Sequence, residues 1–406
     1  MKKRLRLCAS VQVGRFCRYP RTRVTANIFA GLFLILASAA HGQTNPRARD
    51  LGVPFDGATG ALNAITDVKG IEVGETTLIS GDGPLKVDIG PVRTGVTAIF
   101  PRGKDSTDPV FAAWFAENGD GEMTGTTWVE ESGFLEGPVM ITNTHSVGVV
   151  RDAVIAWCLK HHPPRNPEGY CWSLPVVAET WDGYLNDANG FHVTPQDAFH
   201  ALDTAHGGPV EEGNVGGGTG MICNGFKGGT GTSSRVLDPK YGGYTVGVLV
   251  QCNYGVRDQL RIAGVPVGRE IAGNKLWNND RGSIIVVVAT DAPLIPTELK
   301  RIAKRVPLGL GRLGSYSGNG SGDIFIAFST ANSAAAADPS GISHLTMLSN
   351  DSMDPLFLAT VQATEEAVVN SMIAAKTMTG VDSHTVIALP HKPLQEILKK
   401  YNRLAK

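Results

Sequence analysis

The chain has 406 residues, of which 42% are hydrophobic and 18% charged, with a formal net charge of −1. That length can bury a large core, and the balanced charge excludes bulk electrostatic attraction to nucleic acid or anionic lipid. The 49 glycines stand well above the ordinary share of ~7% and point to many tight turns or close backbone approaches.

The first element in chain order is a targeting segment. Lys2, Lys3, Arg4, Arg6, Arg15, Arg18, Arg21 and Arg23 form a basic stretch without an acid. An apolar run from Ile28 to Ala37 follows, then the small residues Ser38, Ala39, Ala40 and Gly42. This is the order of a secretory signal, and the run is too short for a permanent span, which needs ~20 apolar residues. Residues 1–42 are expected to be a signal peptide, an uncleaved anchor being the alternative, and the mature protein to be periplasmic or secreted. Its removal leaves 29 Lys plus Arg against 38 Asp plus Glu, a net charge near −9. No nucleic-acid partner is expected, nor a membrane partner after processing. Four cysteines remain, Cys158, Cys171, Cys223 and Cys252, without C-x-x-C spacing. An oxidising compartment permits disulfides, and Cys158 with Cys171 is the nearest pair, against buried free thiols as the alternative.

Strands are predicted over residues 95–100, 138–142 and 244–251. Residues 283–289 and 323–328 are continuous apolar runs of strand length, expected where both faces of a sheet are covered. Val147 to Leu159 reads as a helix that ends before Pro163 and Pro164. Ile295, Leu299, Ile302, Ala303 and Val306 recur at helical spacing behind Pro296. Asp354 and Pro355 provide a cap and first turn for a helix running to about Met378, where Gly380 can stop it. Alternating strands and helices imply layered α/β structure around one core. The polar segment 273–282 reads as a loop meeting a buried strand.

Common active-site signatures are absent: there is no H-E-x-x-H, no Walker lysine and no G-x-S-x-G elbow. His161-His162 reads as a solvated helix end. Asn118-Gly-Asp-Gly-Glu122 lacks calcium-loop spacing and reads as a tight turn. Gly216-Gly-Gly-Thr-Gly220 has no Lys-Ser/Thr ending to make it a phosphate loop. No metal and no organic cofactor is expected.

Longer stretches carry more information. Leu62-Asn-Ala-Ile-Thr-Asp67, Asn143-Thr-His-Ser-Val-Gly148, Glu212-Gly-Asn-Val-Gly-Gly-Gly-Thr-Gly-Met221 and Phe226-Lys-Gly-Gly-Thr-Gly-Thr-Ser-Ser-Arg235 occur in order. Asn253-Tyr-Gly255 and Gly282-Ser-Ile-Ile-Val-Val-Val-Ala-Thr-Asp-Ala-Pro293 follow. From about Leu51 to Pro390 the chain resembles the β-aminopeptidase and L-aminopeptidase/D-amidase-esterase (DmpA) family. The resemblance implies an αββα sandwich of the DmpA/ornithine-acetyltransferase-like type and self-cleavage between Gly282 and Ser283. Cleavage would give a large chain of residues 43–282 and a small chain of 283–406, within one catalytic domain. It further implies processed heterodimers assembling as four copies.

By the same resemblance Ser283 is the N-terminal nucleophile. Its new α-amino group, with a reference pKa of about 7.7–8.0, could act as general base. Ser321 and Asp323 match a supporting serine and acid, although the family often has glutamate at the second position. Asn253 matches an oxyanion-hole asparagine, and Glu179 a glutamate that binds the substrate's free amine. Trp181 stands where the family can carry a catalytic tyrosine. An indole donates but cannot relay a proton, so Tyr184 is considered as its substitute. Without the resemblance, Ser283 would read as a strand-initial serine, and Ser321, Asp323 and Asn253 as turn or strand-end residues. The implied activity is release of N-terminal residues from short peptides, amides or esters, with β-aminopeptidase activity preferred over L-aminopeptidase/D-alanine esterase activity. An acyltransferase of the ornithine acetyltransferase group is a further alternative, disfavoured because that group uses threonine. A third is an exported binding protein that has lost catalysis.

Overall fold

The two continuous apolar runs become adjacent central strands of one sheet. The computed structural model describes residues 45–163, 172–273, 275–336 and 340–405. Its strands are β1 (Glu72–Ser80), β2 (Val92–Phe100), β3 (Val110–Gly119), β4 (Phe134–Leu135), β5 (Val139–Asn143), β6 (Val176–Thr180) and β7 (Ile222–Cys223). They continue with β8 (Phe226–Lys227), β9 (Gly229–Val236), β10 (Thr245–Asn253), β11 (Ser283–Thr290), β12 (Gly322–Ser329), β13 (Met378–Thr379) and β14 (Thr385–Val386). A four-stranded sheet has the order β1-β2-β5-β6, and a six-stranded sheet the order β4-β3-β12-β11-β10-β9. In the larger sheet β11 and β12 are parallel, whereas β10 runs antiparallel to β11.

Side-chain alternation sorts the two faces of each sheet. Ile285, Val287 and Ala289 of β11 pack with Ile99, Ile141 and Ala178 of the smaller sheet, forming a core between the sheets. Ile284, Val286 and Val288 instead meet Leu299, Leu310, Ala363 and Val369 on the helices outside. The smaller sheet is covered likewise: Val96, Ala98 and Met140 pack on Val150, Val154 and Trp157 of helix Val147–His161 and on Ala201 of helix Pro195–Asp203. Helix, sheet, sheet and helix are therefore stacked as an αββα sandwich. A strand covered on both faces needs no polar alternation, which is why β11 reads as an unbroken apolar run.

Boundaries depart from the sequence expectation in three places. The helix expected to reach Met378 ends at Ala374; Ala375 turns extended and Met378 enters β13. Asp354 is the first residue of that helix rather than its side-chain cap. The helix expected from Ile295 to Val306 divides into Pro296–Ala303 and Val306–Arg312. Pro307 lacks the N–H that a continuous helix would need, but suits a first turn. The Cys158–Cys171 pairing falls outside the described residues because Cys171 does. A disulfide joins Cys223 to Cys252.

Candidate active site

Strand register brings Ser283, Asn253, Ser321 and Asp323 to one end of the larger sheet. Ser283 opens β11 and is the direct antiparallel partner of Asn253, the last residue of β10. On its other side Ser283 is level with Gly322, which opens β12. Directly opposed antiparallel residues project their side chains to the same face, so the Asn253 amide and the Ser283 hydroxyl are neighbours. Both residues are buried.

Gly282 lies flush against β10. A Cβ there would stand 1.6 Å from the Asn253 carbonyl oxygen, so only glycine lets the Gly282–Ser283 peptide enter the sheet at this point. Asp280 holds the approach: its Oδ1 accepts from the Gly255 N–H at 2.9 Å and its Oδ2 from Gly318 N–H at 3.4 Å. A side chain of this kind, in a segment that reads only as a polar loop, gives no sequence signal of its role.

The Ser283 Oγ accepts a 3.1 Å hydrogen bond from the Gly322 N–H. Residues on either side of Gly322 form the supporting pair: Ser321 Oγ donates to Asp323 Oδ1 at 2.6 Å, with both residues fully buried. The pair reaches Ser283 through Gly322 rather than by a direct hydrogen bond. Because Ser321 gives its single proton to Asp323, its lone pairs remain as acceptors. Burial pushes the Asp323 carboxyl up to about 6, with the Ser321 and Ser317 hydroxyls pulling the other way and Asp280 and Glu117 adding to the rise.

That shift has a stability consequence with a definite sign. A carboxyl whose folded pKa lies above its unfolded value near 3.8 favours folding below the unfolded value. That contribution is lost as pH rises through about 6. At pH 8 ionised Asp323 is thus a net penalty, on the order of 2–3 kcal/mol from the size of the shift. In an uncut Ser283→Ala background, Asp323→Asn is expected to raise Tm at pH 8 by roughly 2–5 °C and to give no gain at pH 4, measured by calorimetry. A gain of the same size at both pH values would show that the carboxylate charge is not the cause.

Asn253 is fixed in orientation by its two ends. Its Oδ1 accepts from the Ile222 N–H at 2.7 Å and its Nδ2 donates to the Trp181 carbonyl at 2.8 Å. One N–H of the amide is left to point towards a reacting carbonyl. Trp181 and Trp277, with Ile222, Tyr254 and Arg281, line a small cleft beside Gly282. Tyr184 does not line this cleft but packs behind it, edge-on to Trp277 and stacked on His384 at 4.4 Å.

Glu179 sits near the end of β6 in the smaller sheet, 3% exposed. Its Oε1 accepts from the Glu122 N–H at 2.9 Å and its Oε2 from the Thr144 hydroxyl. Burial raises its pKa, the two hydrogen bonds oppose this, and the nearby Glu122 and Asp120 add to the rise. Gly121 lies between Glu179 and the start of β12, the strand beside Ser283: a Cβ on it would be 3.3 Å from Glu179 Oε1 and 3.2 Å from Gly322 Cα. The segment 118–122, which reads as a simple turn, therefore spans the site and adds negative charge around Glu179. This is an environment suited to an ammonium group.

Among the described residues, no group of three or more His, Cys, Asp or Glu side chains is placed to hold a metal ion. The arrangement can perform nucleophilic acyl transfer: a buried serine, an amide donor beside it, and a carboxylate within the same site.

Comparison with known proteins agrees with this chemistry. The model of Peptidase family S58 matches residues 63–386. Beta-peptidyl aminopeptidase BapA of Sphingosinicella microcystinivorans is 56% identical over 393 residues, covering 93% of this chain and 97% of that protein. The protein of the same name from Sphingosinicella xenopeptidilytica is 48% identical, with 90% and 94% covered. The solved L-aminopeptidase D-Ala-esterase/amidase of Ochrobactrum anthropi, a serine aminopeptidase with a variant Ntn hydrolase fold, superposes with a TM-score of 0.82. It is 49% identical, with 89% of this chain and 100% of that one covered.

Proposed function

Since the chain belongs to peptidase family S58, we propose that it cuts itself between Gly282 and Ser283 and then works as a β-peptidyl aminopeptidase. It is a hydrolase of the aminopeptidase class on an N-terminal-nucleophile fold. In self-cleavage, the Ser283 hydroxyl oxygen attacks the Gly282 carbonyl carbon. The C–N bond breaks, the nitrogen takes a proton to become the α-amine of Ser283, and water hydrolyses the resulting ester. In turnover, Ser283 Oγ attacks the substrate carbonyl while its own neutral amine takes the hydroxyl proton. The leaving amine departs protonated, and water releases the acyl group. Asn253 Nδ2 stabilises the oxyanion, an interaction typically worth about 10²–10³ in rate. Glu179 binds the substrate's terminal ammonium, which restricts attack to the first residue.

The observation that carries this reading is the register of Asn253, Ser283 and Gly322 at one sheet end, with Glu179 across Gly121. The names of the two Sphingosinicella relatives favour β-amino acyl substrates. L-aminopeptidase/D-alanine esterase activity is the second reading, favoured by the Ochrobactrum structure. Trp181 is assigned to substrate contact in the cleft. Four processed heterodimers assemble in this proposal, and the protein works outside the cytoplasm. The signal-like N-terminus and the Cys223–Cys252 disulfide support that location.

Intact mass and N-terminal sequencing of the purified protein, followed by rates on β-alanyl, L-alanyl and D-alanyl p-nitroanilides, test the proposal. A small chain beginning at Ser283 and a β-alanyl rate at least tenfold above the others are expected. An uncut chain with full activity would refute self-processing, and an L- or D-alanyl preference would transfer the assignment to the second reading.

A further inference from the structure

Lys227 is fully buried and no carboxylate pairs with it among the described residues. Its Nζ donates to the carbonyls of Met221 at 2.8 Å, Gly228 at 2.9 Å and Gly218 at 3.4 Å. Three acceptors match the three N–H groups of the ammonium form, which a neutral amine could not satisfy. Burial pushes this group well below its ordinary range, so holding it charged without a counter-ion is costly. The three carbonyls favour the charge that burial opposes, and the position of the group beside the site supplies a use for it.

The peptide unit between Met221 and Ile222 has Lys227 on its oxygen and Asn253 on its nitrogen. Lys227 and Ile222 are cross-strand partners in the β7–β8 hairpin, and the Ile222 N–H donates to Asn253 Oδ1 at 2.7 Å. The chain of dipoles then continues through the Asn253 amide to Nδ2. We infer that Lys227 is a positioning residue for the oxyanion site, acting through the Met221–Ile222 peptide to orient and polarise the Asn253 amide. A cation on a peptide oxygen strengthens donation by that peptide's N–H. An amide oxygen that accepts a stronger bond makes its own N–H a better donor. Such cooperative strengthening is of the order of 10–30% per bond. The Cys223–Cys252 disulfide ties together the residues next to Ile222 and Asn253, holding the two ends of the relay in place.

The inference rests on Asn253 serving the oxyanion, and a double-mutant cycle separates the two ideas. Full-length wild type, Lys227→Met, Asn253→Ala and the double variant are compared by kcat per cleaved molecule on one aminoacyl p-nitroanilide, with the cleaved fraction taken from intact mass. Lys227→Met is expected to lower kcat roughly five- to tenfold and leave KM within about twofold, following from loss of polarisation and orientation. On the Asn253→Ala background the same change should lower it less than about twofold, since residues acting in series do not add. Lys227→Gln, a neutral donor better able to satisfy the carbonyls, should fold and show an intermediate loss. Losses that multiply overturn the proposal alone. An Asn253→Ala enzyme as fast as wild type overturns the oxyanion reading and this proposal with it. Failure of both Lys227 variants to fold, read by circular dichroism, assigns Lys227 to stability only and also overturns it.

Discussion

Ser283→Ala is expected to leave a single uncut chain and to reduce turnover by about 10⁴-fold or more, as loss of a serine nucleophile does elsewhere. Both effects have the same cause. Self-cleavage needs the hydroxyl to attack Gly282, and turnover needs the same hydroxyl plus the amine that only cleavage exposes. The surrounding fold should be untouched: Oγ accepts one hydrogen bond, from Gly322, and losing one such bond is typically worth about 1 kcal/mol. Electrophoresis, intact mass and a calorimetric Tm within a few degrees of the processed wild type would together establish this. Normal cleavage in the variant would place the scissile bond elsewhere. Cleavage blocked with activity retained would disconnect processing from catalysis.

Glu179→Gln carries the second largest expected effect. Glutamine is isosteric: its carbonyl can still accept from the Glu122 N–H, and its NH2 can donate to the Thr144 hydroxyl oxygen once that hydroxyl rotates, so the site should remain assembled. What is lost is the charge opposite the substrate ammonium. Removing one partner of a buried charged pair typically costs about 2–5 kcal/mol, so kcat/KM for free-amine substrates should fall ~10²–10³-fold. Esters lacking an α- or β-amine should be hardly affected, and that contrast separates amine recognition from general damage. Proton linkage supplies an independent reading. Burial raises the Glu179 pKa, so acidification protonates it earlier than an exposed glutamate and weakens amine capture. Wild-type KM should therefore rise as pH falls, while the KM of Glu179→Gln should stay flat on that acidic side. Equal pH dependence in the two enzymes would remove Glu179 from amine binding.

The parts of this architecture legible beforehand share one property: they are set by local pattern. Apolar runs at β11 and β12 mark doubly covered strands because a buried strand has no polar face to display. The interruption at Pro307 was equally present in the sequence. The apolar spacing of Ile295 to Val306 masks it, because that spacing continues across the join of two helices. The early end of helix Asp354–Ala374 was hidden for the opposite reason. Lys376 and Thr377 are compatible with a last helical turn and Met378 restores the apolar pattern, so it is pairing in β13, not a local stop signal, that turns the chain at Ala375.

The site divides along the same line. Ser283, Asn253, Ser321, Asp323 and Glu179 were nameable because each sits in a recognisable stretch of sequence. Asp280, the segment 118–122, Ile222 and Lys227 were not, since each takes its part by bonding to or through backbone groups, and which backbone groups lie within reach is set by the fold. Glycine at 282 is the clearest link between the two levels. Its identity was plain, but the carbonyl of Asn253 at 1.6 Å from a would-be Cβ is a fact of strand pairing, not of composition. By itself the sequence determined the strand that begins at Ser283, the glycine before it and the family of the chain. Only the tertiary structure decided that Asn253, Gly322 and Glu179 converge there. Register and sheet stacking are set by long-range packing, and no local pattern of residues encodes which strand ends will meet.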